Sequence, residues 1–276
     1  MSFIIQTKKE SDCNNHKFCI YHHELSMEDL DTYILQLMFD ENKLHQLFEP
    51  HSVFESKKRL NQLRRFIETD FKIKEEKITD GDIIDRIKGN TNPTYFSFFA
   101  EALLARLNID YTDNKLVTGV ISINETIKDG KTGADVCMFS DKSLVIGEAK
   151  FYSGLSGGLD AISNDSSFLS KLESYCNIII SSEIEIVLKE ISGDIRQKTM
   201  DELKKMSFIF TGFVLHTKSV RNNYDTYYDK INEIIIENMP KQFHIVLFHL
   251  PIKSKEDLIF KIQRKALDLI IDLKTS

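Results

Sequence analysis

Residues 133–152, GADVCMFSDKSLVIGEAKFY, constrain the fold of this chain more than any other stretch. Two apolar runs flank Asp141 and Lys142, and this pattern predicts two short strands joined by a tight turn. The second run contains the continuous apolar residues 144–146, which favour a strand that is buried on both faces. We therefore expect a sheet in which residues 143–152 form an interior strand.

The rest of the chain predicts an α/β fold in which helices flank a mixed sheet. Residues 94–107, TYFSFFAEALLARL, are apolar almost all round, so this helix is expected to be buried. The other predicted strands are 116–124, 131–139, 207–216 and 243–250. The other predicted helices run from the end of a loop at 154–158 to about residue 175 and over 182–191, 194–205, 223–239 and 255–273.

Residues 89–93, GNTNP, are the clearest break in the chain and divide it into two predicted domains. The accessory lobe, residues 1–92, is expected to be mainly helical after an extended start, with a first helix that begins at Ser26. A second helix over residues 52–69 is rich in lysine and arginine, which indicates either a solvated face or a surface for phosphates or a partner. Residues 93–276 are expected to carry the functional site.

Charge and composition argue against several classes of protein. The net charge of −6 is unlike that of proteins that bind nucleic acid through a diffuse positive field, so such binding would require local basic patches or a partner. No apolar run approaches the roughly 20 residues of a membrane-spanning helix. The four cysteines show no disulfide spacing, and the N-terminus shows no secretory signal, so we expect a cytoplasmic protein with reduced thiols.

Three polar side chains of the central hairpin are expected to converge on one patch. Glu148 and Lys150 are two residues apart on a predicted strand, so both side chains lie on the same face of the sheet. Counting outward from the turn places Asp135 opposite Glu148 or the residue before it, and cross-strand neighbours lie about 5 Å apart. The sequence therefore predicts two carboxylates and one amine in close contact.

Glu101 is a carboxylate in the middle of the apolar helix, where burial is unfavourable unless the charge is paired or binds a metal. One interpretation is a structural salt bridge to Arg106 or another buried partner. The other is that Glu101 reaches the patch formed by the hairpin and acts there. The sequence supports both interpretations equally.

The patch has the side chains that metal-assisted phosphodiester hydrolysis requires. Adjacent carboxylates repel each other, and a divalent cation relieves this repulsion. Oxygen ligands favour Mg²⁺ or Mn²⁺, which also take a substrate phosphate oxygen. A bound metal lowers the pKa of a water molecule, and Lys150 adds positive charge near the attacked phosphate. The candidate catalytic residues are Asp135, Glu148, Lys150 and Glu101, and the candidate metal ligands are Asp135, Glu148 and Glu101.

These residues resemble the active-site motif of the PD-(D/E)XK nuclease superfamily. Ala134-Asp135 stands where the superfamily has Pro-Asp, Glu148-Ala149-Lys150 matches (D/E)XK, and Glu101 stands where the preceding helix often supplies an acid. The run GADVCMF…LVIGEAKFY…GGLDAI is also similar to the signature of the HamA family, the effector subunit of the Hachiman anti-phage defence system. The resemblance implies a restriction-endonuclease-like core over 93–276, a Mg²⁺-dependent DNA nuclease and a helicase partner (HamB).

Two alternatives remain open from the sequence. Residues 154–158, GLSGG, match the G-x-S-x-G pattern of serine hydrolases, in which Ser156 would be the nucleophile. Candidate acids and histidines follow it in the order of a catalytic triad, namely Asp201 or Asp225 and then His216, His244 or His249. The other alternative is a catalytically inactive binding subunit with a nuclease fold.

Overall fold

The computed structural model describes residues 2–12, 18–39, 94–123, 135–158, 186–190, 195–198, 202, 205–217, 243–262 and 264–265. Nine strands and two helices have defined bounds in these residues. The strands are β1 (Ile4–Asp12), β2 (Phe18–Ser26), β3 (Val117–Ile123), β4 (Val136–Phe139), β5 (Ser143–Tyr152), β6 (Ile186–Glu190), β7 (Ile195–Lys198), β8 (Ser207–Thr217) and β9 (Phe243–Ile252). The helices are α1 (Leu30–Phe39) and α2 (Thr94–Tyr111). Residues 155–158 and 255–262 are also helical.

The strands form one mixed sheet in the order β1-β2-β9-β8-β5-β4-β3-β6-β7. Strands β2, β9, β8 and β5 are parallel to one another, and every other neighbouring pair is antiparallel. Strand β5 lies between β8 and β4, and its residues 143–149 are buried. The α/β class and the interior position of residues 143–152 are therefore confirmed, as are the strands predicted near β3, β8 and β9.

Helix α2 covers one face of the sheet and, as predicted, is buried. Its residues from Phe99 to Asn108 are buried except for Glu101 and Arg106, which are partly exposed. They join a core that includes α1, residues 258–262 and alternate side chains of β5, β8 and β9, such as Ala149, Phe213 and Phe248. Among the described residues, no helix is long and apolar enough to cross a membrane.

The N-terminal segment extends the sheet that carries the candidate site. Strand β2 pairs in parallel with β9, from Phe18 opposite Phe243 to Glu24 opposite His249, and β1 pairs with β2. A mainly helical N-terminal lobe is thus not confirmed by the described residues. The predicted division at residues 92 and 93 and the basic helix over 52–69 lie outside the described residues and remain predictions.

The prediction that the first helix begins at Ser26 is wrong. Ser26 lies at the end of β2 opposite Ile4, and its hydroxyl accepts a hydrogen bond from the Gln6 amide at 2.6 Å. Helix α1 begins at Leu30, and Asp29 before it has a positive φ of 53°. The Asp29 carbonyl accepts the Tyr33 N–H at 3.0 Å, so the chain turns into the helix four residues later than the capping pattern indicated.

Two other helix predictions are wrong. Residues 182–191 and 194–205 were expected to be helical, but they contain β6 and β7, which pair with each other and extend the sheet from β3. A short apolar run fits a helix or a strand equally well by periodicity, and here tertiary pairing decides the outcome. The predicted loop at 154–158 is also corrected, because residues 155–158 already form a helical turn.

Candidate active site

The β4–β5 hairpin brings Asp135 and Glu148 together as the sequence predicts. The antiparallel register pairs Val136 with Gly147, so Asp135, the residue before β4, lies beside Glu148. The backbone N–H of Ala149 donates a hydrogen bond to Asp135 Oδ2 at 2.8 Å. This bond fixes the Asp135 carboxylate against the strand that carries the other candidate residues.

Lys150 lies between the two carboxylates. Its Nζ is 2.9 Å from Glu148 Oε2 and 3.8 Å from Asp135 Oδ2. The Glu148 side chain is only 2% exposed, whereas those of Lys150 and Asp135 are each 24% exposed. The site thus has a buried acid at its base and a lysine and an aspartate that are partly exposed to solvent.

Glu101 is electrostatically coupled to this group from helix α2. Burial and, to a smaller extent, the charges of Asp135 and Glu148 together raise the pKa of its carboxyl from the ordinary 4.5 to about 7, although the charge of Lys150 opposes the shift. Arg106, a partner proposed from the sequence, instead pairs with Asp110, with Nη2 at 2.6 Å from Oδ1 and Nε at 2.9 Å from Oδ2. The salt bridge to Arg106 is therefore wrong, and the structure associates Glu101 with the hairpin residues.

Asp135 also has an unfavourable electrostatic environment. Burial raises the pKa of its carboxyl and the neighbouring Glu148 raises it further, while the Ala149 N–H and Lys150 partly offset the rise. Three carboxyl groups share one ammonium group, so the site carries an excess of negative charge when all of them are ionised. A group of this kind gains stability when a cation binds.

A divalent cation fits the chemistry of these residues. Asp135, Glu148 and Glu101 offer only oxygen ligands. The pKa values of Asp135 and Glu101 are raised by burial and by repulsion between the carboxylates, and the positive charge of a cation would offset both effects. In the described part of the chain, no three His, Cys, Asp or Glu side chains are arranged closely enough to bind an ion without moving. An ion that bound Glu148 Oε2 together with Asp135 would displace Lys150 from that oxygen.

Replacing Glu101 with glutamine is expected to stabilise the metal-free protein at alkaline pH. The folded-state pKa of about 7 exceeds the ordinary 4.5, so the folded protein loses stability as the pH rises from about 4.5 to 7. This loss is complete above pH 7 and is small at pH 5. Because the Glu101 side chain is partly exposed, we expect Glu101→Gln to raise the free energy of unfolding at pH 8 by about 1–2 kcal/mol. This corresponds to a rise in Tm of about 2–6 °C. Thermal unfolding of the wild type and Glu101→Gln in EDTA at pH 5 and pH 8 measures this difference in Tm.

The same variant should bind Mn²⁺ about 10-fold more weakly by calorimetry, because one oxygen ligand loses its charge. Glu28→Gln is the matched control, since Glu28 is exposed and lies away from the hairpin. Unchanged Mn²⁺ affinity together with an unchanged Tm profile would make Glu101 an ordinary helix residue with no part in the site.

Ser156 is not positioned as a hydrolase nucleophile would be. Strand β5 ends at Tyr152, and Ser156 lies within the helical turn 155–158 rather than on the turn that directly follows the strand. Both ring nitrogens of His216 contact other groups, with Nδ1 3.0 Å from the Thr217 carbonyl and Nε2 3.2 Å from His249 Nδ1. The candidate acids Asp201 and Asp225 lie outside the described residues.

Tyr152 shares the face of the candidate residues, although no pattern in the sequence singled it out. Tyr152 is two residues beyond Lys150 on β5, so it lies on the same face as Glu148 and Lys150. Its side chain is 39% exposed. The alternation of 148, 150 and 152 was the available signal, but an exposed tyrosine at the end of a strand suggests no chemistry by itself.

Comparison with known proteins gives one match. The sequence profile of the HamA family matches residues 3–266. The match thus includes the N-terminal strands β1 and β2 as well as the hairpin. No curated protein and no solved structure matched the chain.

Proposed function

The chain belongs to the HamA family, which indicates a protein of the Hachiman anti-phage defence system, and we propose that it acts there as a Mg²⁺-dependent DNA nuclease. The observation that carries the proposal is the contact of Lys150 with both Asp135 and Glu148, and the pKa of Glu101 responds to the charges of all three. We assign this group to the PD-(D/E)XK type, with residues 93–276 as the nuclease domain. The preference for DNA comes from the family resemblance rather than from the geometry.

The carboxylates would hold the cation in this proposal. Asp135 and Glu148 offer oxygens from adjacent strands, and Glu101 offers a third from α2. The Ala149 N–H keeps Asp135 oriented at 2.8 Å, so little reorganisation is needed at that carboxylate. A bound Mg²⁺ or Mn²⁺ would supply Lewis acidity and a water of lowered pKa.

Lys150 would act on the substrate directly. Its ammonium is partly exposed and lies beside both carboxylates, so it sits where a phosphate and a metal would meet. Once released from Glu148, the ammonium donates hydrogen bonds to the attacking water or to a phosphate oxygen and stabilises negative charge as it develops. The buried Glu148 limits the access of bulk water beneath this group.

A helicase subunit is the proposed partner. The net charge of −6 gives the chain no general attraction for DNA, so a second protein that engages DNA would complement it. The described residues do not include the predicted basic helix at 52–69, which is the segment that we would test first for contact with DNA or with the partner.

Removal of divalent metal is expected to abolish DNA cutting. Without a cation the three carboxylates repel the substrate phosphate, and the loss of several kcal/mol of charge stabilisation corresponds to at least about 10³-fold in rate. The assay compares Mg²⁺, Mn²⁺ and EDTA on single-stranded and double-stranded DNA, with the protein alone and with its co-purified partner.

Equal cutting in EDTA and in Mg²⁺ would overturn the metal mechanism. A complete lack of cutting under every condition, with the partner present, would favour a binding subunit that has an inactive nuclease fold. Cleavage of an ester substrate that Ser156→Ala abolishes would instead favour the hydrolase alternative.

A further inference from the structure

Tyr152 stands at the open end of the candidate site. Consecutive side chains on one face of a strand are about 6.6 Å apart, so the ring lies one such step beyond Lys150. Exposure on this face increases along β5, because Glu148 is buried, Lys150 is partly exposed and Tyr152 is exposed. A substrate strand that reaches Lys150 from solvent would therefore pass the tyrosine ring.

The backbone on both sides of Tyr152 is held in place. The carbonyl of Phe151 accepts a hydrogen bond from Lys255 Nζ at 3.1 Å, and the same ammonium lies 4.4 Å from the centre of the Phe151 ring. The carbonyl of Ser153 accepts a hydrogen bond from the Thr217 hydroxyl on β8. These contacts fix the end of β5 where it would otherwise fray.

The ring of Tyr152 lies against the helical turn that follows the strand. A Cβ atom at Gly157 would be 2.9 Å from Cδ1 and 3.2 Å from Cε1 of the ring, so only glycine lets the turn approach this closely. Leu155 anchors the same turn, since it is only 5% exposed. The ring is thus supported on one side while a large part of it faces solvent.

The position of Tyr152 distinguishes it from the other exposed apolar side chains. Three large hydrophobic side chains are exposed among the described residues, namely Ile4, Tyr111 and Tyr152. The Tyr111 hydroxyl donates to the Phe3 carbonyl at 2.8 Å, and Ile4 lies on the edge strand β1. Tyr152 is the member of this set that lies on the strand of the candidate site.

From these contacts we infer that Tyr152 is a stacking platform for an unpaired base of the DNA strand that the site cuts. A supported ring loses little freedom when a base stacks on it, and such stacking tolerates any base. A base inside a duplex is already stacked on both sides, so the platform selects single-stranded or locally opened DNA. The inference rests on the proposed function and extends it to the substrate class.

Binding to 2-aminopurine oligonucleotides tests this inference apart from cutting, with the co-purified partner present and with Ca²⁺ in place of Mg²⁺ so that the carboxylates do not repel the phosphates. The probes are single strands with 2-aminopurine at each position in turn, together with matched duplexes, and the proteins are the wild type, Tyr152→Phe and Tyr152→Leu. The wild type and Tyr152→Phe are expected to quench the probe at one position. Tyr152→Leu should lose that quenching and bind the single strand about 10-fold more weakly, with little change on the duplex.

Cutting assays in Mg²⁺ separate this role from a structural one. Tyr152→Leu should raise the KM for single-stranded DNA about 10-fold with little change in kcat, because the stacked base contributes equally to substrate and transition-state binding. The Tm of Tyr152→Leu should fall only slightly, since it loses only the packing of the ring against the turn at Gly157, and a small loss of stability does not change KM for single strands alone.

The inference and the proposed function fail in different ways. If Tyr152→Leu binds and cuts single strands as well as Tyr152→Phe does, the stacking role of Tyr152 is wrong and the proposed metal-dependent nuclease activity is unaffected. If the wild type cuts no DNA in Mg²⁺ but Tyr152→Leu still loses quenching and affinity in Ca²⁺, the stacking role of Tyr152 is supported and the proposed nuclease activity is wrong. A wild type that binds no single strand overturns the platform.

Discussion

Replacing Lys150 with alanine is expected to reduce DNA cutting by about 10²- to 10³-fold or more. The ammonium is the only cationic group that the described residues place against both Asp135 and Glu148. Its removal takes away the hydrogen-bond donor and the positive charge that would act on the phosphate, neither of which alanine replaces. Single-turnover cutting of a labelled oligonucleotide in Mg²⁺ measures the loss.

The same substitution should change the stability of the metal-free protein. Glu148 is 2% exposed and loses its 2.9 Å contact with the ammonium, so we expect about 1–3 kcal/mol of destabilisation in EDTA, which Mg²⁺ should largely restore. Recovery of the Tm in Mg²⁺ without recovery of cutting would separate a chemical role for Lys150 from a role in folding.

Lys142→Ala is the matched control, because it removes the same positive charge from the same hairpin. Lys142 lies at the other end of the same hairpin and is exposed, so its loss removes one positive charge without touching the candidate site. Lys142→Ala and Ser156→Ala should both cut DNA at the wild-type rate. If Ser156→Ala is inactive while Lys150→Ala retains full activity, the assignment of the site to Lys150 is wrong.

The parts of the fold that the sequence predicted are those that short-range patterns control. The β4–β5 hairpin joins its strands through a tight turn, so its register follows from the spacing of residues around Asp141. Helix α2 was recognisable because its apolar residues continue around the whole helix. Each of these elements carries its own signal over fewer than about 20 residues.

The parts that the sequence did not predict depend on distant pairing. Strands β6 and β7 lie at one end of the sheet because β6 pairs with β3, more than 60 residues earlier in the chain. Strand β2 pairs with β9 across more than 200 residues, and no local pattern at Phe18 indicates this partner. The sequence left two interpretations of Glu101 open, and the choice between them likewise required the packed structure.

Gly147 shows how closely α2 and β8 approach the strand of the candidate site. A Cβ atom there would lie 2.4 Å from Thr211 Oγ1, 2.9 Å from Leu104 Cδ2 and 3.0 Å from the Thr211 carbonyl oxygen. Leu104 and Thr211 are fully buried, and the Thr211 hydroxyl accepts a hydrogen bond from the Asn108 amide at 3.2 Å. None of these atoms is the free end of a flexible surface side chain, so a Cβ atom at Gly147 fits only if α2 or β8 shifts.

Gly147→Ala is therefore expected to destabilise the protein by about 2–4 kcal/mol, which equilibrium denaturation in urea measures. Gly154→Ala is the matched control, because a Cβ at Gly154 meets nothing within 4 Å. Since Gly147 directly precedes Glu148, a shift of β5 would also move the carboxylate relative to Asp135, and Mn²⁺ affinity should fall in Gly147→Ala even where the protein remains folded. Wild-type stability in Gly147→Ala would show that α2 can move away from the sheet, and that Glu101 is not held near the hairpin by this close packing.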